Sequence, residues 1–398
     1  MTATVDIRLI DPAEFLACEQ MKAELFGIPF PPHRLAEVRS VRELDRTYVA
    51  CSGPALVGSI TANSFTMAVP GGTARTAGLS GLGLRPEFDG VPQRLALLAR
   101  QLEAARERCE PLAALCTLLD VPPVYDQAGF AVASRGLDVE IESGHAGMTG
   151  DAGRAEPARE VSPGELRATA ERCYQQLAAS VPGVIQRSHA MWDRWAAKNI
   201  KAGVRCLVAG PGEQPLGYAV AAGSAGTGQP AWSVRELGAV TPLAALALWS
   251  AIFAGGGTVR AAHRPSDDPL QWLLTDPRKL HRSVAEGIWV RLVDVPAALS
   301  ARRWSCAVDV VLRVRDRTCG WNDGTYRLTA GPDGAACTPS TADPGVSIDV
   351  RALGAAYLGS TRLSALAGTG LVTATAGQLH ALDTALSWPQ TAWAPTRF

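Results

Sequence analysis

What this 398-residue chain lacks narrows the field first. It has no excess charge of either sign: Lys+Arg and Asp+Glu both count 38, so no basic field exists for a nucleic-acid backbone to meet, and nucleic acid is set aside as a partner. No apolar run reaches the roughly 18–20 residues that a membrane span needs. The longest, Ala239 to Ala254, contains Thr241 and Pro242 and reads as a buried helix, so no membrane partner is expected. The start, Met1-Thr-Ala-Thr-Val-Asp-Ile-Arg8, shows no basic stretch followed by an apolar one and does not read as a secretory signal. The nine cysteines are odd in number and include no C-x-x-C pair, which argues against a disulfide framework and a zinc site. A cytoplasmic setting is expected. The histidines at 33, 145, 189, 263, 281 and 380 show no metal-ligand spacing, so no metal is expected; only His33 lies near segments that would form a cleft. A G-x-S-x-G elbow and a Walker loop are also missing, which leaves hydrolase and nucleotide-dependent readings without support.

What is present reads as α/β. Residues 5–10 form a short strand, and Pro12 to Phe26 carries apolar side chains at helical spacing before Gly27 and Pro29 stop it. Thr47-Tyr-Val-Ala-Cys and Ala55-Leu-Val-Gly-Ser-Ile-Thr-Ala read as two strands around Ser52-Gly-Pro. A strand from Thr73 to Leu84 then leads to a helix over Val91 to Arg108 with Pro92 in its first turn. Leu112 to Leu119 reads as a buried strand, Val124 to Ala128 as a short helix and Gly129 to Ile141 as a closing strand.

Ser143 to Glu160 lacks an apolar period and reads as a linker. A second unit repeats the order: a helix over 164–179, strands at 205–209 and 216–221, Trp232 to Ala239, then a helix over Pro242 to Phe253. From Pro296 strands at 306–314, 324–330 and 346–350 and helices at 351–358 and 375–386 suggest a small α+β unit. Three domains follow: 1–150, 151–295 and 296–398, consistent with the length.

Asp267-Asp-Pro-Leu-Gln-Trp-Leu-Leu-Thr-Asp276, Gly287-Ile-Trp-Val-Arg-Leu-Val-Asp-Val-Pro-Ala-Ala-Leu299, Tyr357-Leu-Gly and the apolar carboxyl end resemble the Eis-type (enhanced intracellular survival) acetyltransferases over nearly the whole chain. The resemblance implies two fused GNAT-fold units, the first holding the active site and the second without a working cofactor loop, then a sterol-carrier-protein-like domain. It also implies acyl transfer from acetyl-CoA or another acyl-CoA to a small-molecule substrate, a setting in secondary metabolism, and homo-oligomers, commonly hexamers.

Within the first unit, Pro122-Pro-Val-Tyr-Asp-Gln-Ala-Gly-Phe130 is similar to the GNAT segment that carries the general acid, which falls on Tyr125. A phenol stays protonated at neutral pH and can donate to a departing thiolate. The family's second catalytic group, a terminal carboxylate, falls on Phe398, where an ionised carboxylate can accept or orient the amine's proton. The cofactor positions fall on Leu82, Leu84, Gly90, Gln93 and Arg94.

The chain departs from the family at two places. Arg85-Pro-Glu-Phe-Asp-Gly-Val-Pro-Gln-Arg94 lacks the R-R-x-G pattern, brings Glu87 and Asp89 beside the position of a pyrophosphate, and loses a backbone donor at Pro92. Weak coenzyme binding is expected. Arg397 stands beside the last residue where aminoglycoside-binding members carry acids, so a small neutral or acidic acceptor is expected instead of a polycation. Three functions fit: acyl-CoA-dependent transfer to an amine, a CoA-independent proton transfer, cyclisation or rearrangement in the same cleft, and non-catalytic ligand binding.

Overall fold

Strand β1 (Asp6–Leu9) and helices α1 (Phe15–Phe26) and α2 (Arg34–Arg39) open the first half of the structure, a computed structural model that describes residues 5–31, 34–117, 124–149, 156–201, 203–212, 214–224 and 230–398. There follow β2 (Thr47–Ser52), β3 (Ala55–Val69), β4 (Gly72–Leu84), α3 (Val91–Glu107), β5 (Leu112–Leu115), α4 (Val124–Gln127) and β6 (Ala131–Val132). Gly27, in the left-handed conformation at φ 60°, closes α1 as the sequence implies. β3 and β4 form a long hairpin around Pro70-Gly71, where Gly71 has φ 68° and a side chain would strike Arg303 and Trp388.

The strand expected over 129–141 is divided. After β6 the main chain turns away, and Ala133 and Ser134 both donate to the Ile288 carbonyl at 2.9 and 3.3 Å while the Ser134 hydroxyl accepts from Ile288 N–H. Residues 135–142 become β7 (Arg135–Glu142) of a different sheet. Hydrophobic periodicity marks both pieces as strand but says nothing about which sheet receives them.

Two compact units result. The second takes Arg135–Gly287 and Thr391–Pro395; the first takes everything else. In the second, β7 is followed by β8 (Arg159–Glu160), α5 (Pro163–Ser180), α6 (His189–Asn199), β9 (Val204–Ala209), β10 (Gly217–Gly223), β11 (Ala231–Ala239), α7 (Pro242–Phe253), β12 (Thr258–Pro265), α8 (Leu270–Leu273) and β13 (His281–Glu286). Its seven-stranded sheet has the order β13-β7-β12-β11-β10-β9-β8, and α7 packs Leu248, Trp249 and Ile252, all fully buried, into the core beneath it. Side chains of that size contribute about 1.5–3 kcal/mol each on burial. Helix α6 and strand β13 were not legible from apolar period; β13 is exposed along almost its whole length.

The chain then returns to the first unit as β14 (Trp289–Leu292), which inserts between β5 and β6 to give the order β1-β2-β3-β4-β5-β14-β6. Only β4 and β5 run parallel in this sheet. Beyond it lie α9 (Val295–Ala301), β15 (Val308–Arg315), β16 (Gly324–Gly331), β17 (Gly334–Pro339), β18 (Val346–Asp349), α10 (Val350–Ala356), β19 (Val372–Thr373) and α11 (Ala376–Leu386), with a five-stranded sheet β17-β16-β15-β18-β19. Helix α10 sits on β14, where a side chain at Gly354 would meet the Val290 carbonyl at 2.6 Å. Arg291 of β14, fully buried, donates to Ala128 O at 2.9 Å and to Asp316 at 2.6 Å, and Asn322 also donates to Asp316. A buried charge needs such a partner set, and this one ties the last sheet to the first.

Candidate active site

The parallel pair β4 and β5 is hydrogen-bonded only at Thr76, Ala77 and Gly78 against Leu112, Ala113 and Ala114. Past Gly78 the strands part. β4 continues to Leu84 with β3 on its other side, and its register shifts between Ser59 and Thr61, opposite Gly81 at φ 66°. A bulge of this kind bends the strand away from its neighbour. The result is a wedge whose β4 wall offers main-chain groups that no strand pairs among the described residues. Leu82 and Leu84 lie on that wall with side chains buried in the core under α3, so only their main chain is open to a ligand.

Helix α3 begins at the wedge. Its N-cap, Gly90, supplies no side-chain cap, whereas Ser162, Ser188, Thr241, Asp294, Asp349 and Thr375 each cap their helices by a side-chain oxygen. Free N–H groups at a helix start favour an anion. Two features oppose one here: Pro92 has no N–H, and Arg94 Nε and Nη2 are bonded to both oxygens of Asp89 at 2.6 and 2.7 Å. The Arg94 guanidinium is thus already paired. Gln93 Oε1 is buried without a hydrogen-bond partner among the described residues, and a side chain at Gly90 would meet it at 2.6 Å. With Pro92 lacking an N–H and Arg94 already paired, this helix start offers a phosphate fewer donors than an unpaired one would.

Tyr125 stands in α4, half-buried, its ring 6.1 Å from Phe130 and 6.2 Å from Trp289. Burial raises its phenol above the ordinary value, with nearby Arg94 pulling the other way, so it is a neutral donor at physiological pH. Trp289 pairs directly with Leu115, which puts Tyr125 beside the end of β5. Pro122 and Pro123 of the same motif, the end of the strand expected through Leu119, and His33 lie outside the described residues.

Phe398 reaches the wedge from the opposite side. Its ring lies edge-on to Phe65 at 4.7 Å and over Gly78, where a β-carbon would come within 2.9 Å of it. Arg397 donates to the Thr117 carbonyl. The last two residues thus sit where β4 and β5 part. Cys116, also at this end of β5, has its thiol pushed up to about 11 by burial, with Arg397 working against the shift; it is a protonated thiol and a poor nucleophile. Gly78 was not singled out in the sequence, though an isolated strand glycine is itself a signal of close approach. The Asp89–Arg94 pair carried no such signal, since proximity in sequence does not fix side-chain direction.

The second unit repeats the parting strands and fills them. β11 and β12 pair only from Ala231/Thr258 to Val234/Ala261. Beyond that, Arg264 donates to the Leu237 carbonyl and to Asp268 at 2.7 Å, and its guanidinium lies 5.5 Å from the ring of Trp393. Trp393 Nε1 donates to His263 O at 2.7 Å, and Thr241 caps α7. Among the described residues no group of His, Cys, Asp and Glu could hold a metal ion, and no helix is long and apolar enough to cross a membrane.

Residues 6–133 and 183–292 each match an acetyltransferase (GNAT) domain family, and residues 295–395 match a sterol carrier protein domain family. The chain is 31% identical over 369 residues to an uncharacterised N-acetyltransferase of Streptomyces coelicolor, with 87% of each chain covered. It is 30% identical over 354 residues to the N-acetyltransferase Eis of Mycobacterium bovis, with 84% of each covered. The crystal structure of Eis1 from Mycobacterium abscessus superposes with a TM-score of 0.84 at 26% identity, over 99% of this chain and 100% of that one.

Proposed function

Since the chain belongs to the Eis-type N-acetyltransferase family and is an acyltransferase, we propose that it moves an acyl group from an acyl-CoA to the amine of a small molecule in the wedge of its first unit. The observation that carries this reading is that Tyr125, through Trp289, and the Phe398 end of the chain, through Arg397 and Gly78, both lie near the end of β5, beside the parted strands. When bound, an acyl-CoA supplies a thioester carbonyl for attack. The chain's own groups do the rest. The Phe398 carboxylate takes or orients the ammonium proton, the edge of β4 positions the acyl-CoA, and Tyr125 gives its phenolic proton to the departing sulfur. The high value of Cys116 favours direct transfer over an acylated enzyme.

The filled strands of the second unit support a structural role for it, with chemistry confined to the first. A cytoplasmic setting, a place in secondary metabolism and assembly into homo-oligomers, hexamers by resemblance, belong to the same proposal. The Asp89–Arg94 pair favours a second reading, in which the same acid and base act on a small molecule without coenzyme. Calorimetric titration with acetyl-CoA, followed by thiol release in the presence of amines, separates the two. Amine-dependent thiol release supports acyl transfer; no binding and no release at saturating concentrations selects the coenzyme-independent reading.

A further inference from the structure

The face of the first sheet that carries Phe398 also carries a row of polar side chains, most of them buried. On β3, Thr61, Asn63 and Phe65 alternate onto this face, and their cross-strand partners on β4 are Ser80, Gly78 and Thr76. Because Phe398 lies over Gly78, Asn63 is the next polar group to the chain's end. Asn63 is 7% exposed, and its Oδ1 has no hydrogen-bond partner among the described residues. A buried acceptor of this kind is unfavourable unless a ligand supplies an N–H.

One pair further along stands a group of charges. Lys22 Nζ donates to Glu19 at 2.8 Å and to Thr61 Oγ1 at 3.1 Å. Arg42 donates through Nη1 to Ser80 Oγ at 3.0 Å. Its Nε is buried with no hydrogen bond among the described residues, the Glu19 carboxylate being 4.0 Å away. Two cations share one carboxylate, so the group keeps an uncompensated positive charge and an unused donor. Two residues along a strand span about 7 Å, so the two ends of the site lie within reach of one short molecule.

We propose that the acceptor is a small amine bearing a carboxylate, its amine held at Asn63 beside Phe398 and its carboxylate at Arg42. This deepens the acyl-transfer reading and rests on it. A polyamine would set its second cation against Arg42 and Lys22, and a neutral amine would leave Arg42 Nε as it is.

The test compares β-alanine, β-alaninamide and spermidine as acceptors by thiol release from acetyl-CoA, and titrates β-alanine alone by calorimetry. β-Alanine should exceed its amide in kcat/KM by about 10-fold or more, as for a charge-assisted contact. Arg42→Met should bring the two within about twofold, Arg42→Lys should restore part of the preference, and Asn63→Leu should raise KM for both alike. Equal use of the amide or of spermidine by the unaltered enzyme overturns the proposal whatever the variants do, and so does a preference that survives Arg42→Met. If no amine releases thiol, the acyl-transfer reading fails by itself; binding of β-alanine that is lost in Arg42→Met would still support the site, and absence of binding would overturn it.

Discussion

Asp89, just ahead of α3, holds the guanidinium of Arg94 with both carboxylate oxygens, at 2.6 and 2.7 Å. The pair neutralises a cation at the start of that helix. Acetyl-CoA should therefore bind with a dissociation constant of roughly 1 mM, after the loss of two or three contacts worth about 1.5–3 kcal/mol each from a micromolar site. Asp89→Asn should free Arg94 and tighten binding about tenfold. Titration calorimetry on both proteins checks this; unchanged affinity in the variant would show that Arg94 is not turned toward the phosphates.

Tyr125→Phe should lower turnover by about 10²–10⁴-fold, the range for a lost general acid, and leave the thermal midpoint nearly unchanged because the ring still meets Phe130 and Trp289. The sign of the pH effect follows from burial. The phenol must be protonated to act, and its value is raised, so the alkaline loss of kcat should fall above pH 10 rather than below it. A loss under threefold, or an alkaline limb near pH 8, would remove Tyr125 from the chemistry.

Appending a few residues after Phe398 should abolish turnover while the protein stays folded, since an extension turns the terminal carboxylate into an amide while the ring keeps its contact with Phe65 and its seat over Gly78. Gly78→Ala should act in the same direction by displacing both rings. Circular dichroism alongside the activity assay separates this from unfolding. Full activity in an extended chain would rule out the carboxylate as the base.

Arg291→Met should destabilise the protein by about 3–5 kcal/mol, because it leaves Asp316 charged and buried with only neutral donors. Both side chains are almost wholly inaccessible, at 0% and 1% exposure. Chemical denaturation reads the change, and a shift below about 1 kcal/mol would mean that water enters to replace the guanidinium.

Much of the fold was written in local signals. The helix over residues 91–108 follows from apolar spacing and Pro92, and a short helix stands at Val124–Gln127 where one is read over Val124 to Ala128. Strand partners were not legible, because β6 and β7 lie nearly end to end in sequence yet join different sheets, and alternation carries no address. The candidate site shows the same division. The resemblance to the family directs attention to Tyr125 and Phe398, which the structure places against Trp289 and over Gly78. The partners that tune it, Asp89 on Arg94 and Asn63 beside Gly78, depend on side-chain direction across a bulged hairpin, which composition and spacing do not encode.

The position of β14 between β5 and β6 also sets a timetable for synthesis. β5 and β6 leave the ribosome early, but the strand that joins them arrives about 160 residues later, a delay of roughly 8–30 s at ordinary elongation rates. Through that interval the edge of β5 that receives β14 has no partner, and the second unit from Arg135 to Gly287 is made in between. The nascent chain thus passes through a long open state whose exposed strand edge can pair wrongly or with another chain. Yield on expression should respond to slower synthesis at low temperature and to chaperones that shield strand edges, more than to substitutions that stabilise the finished protein.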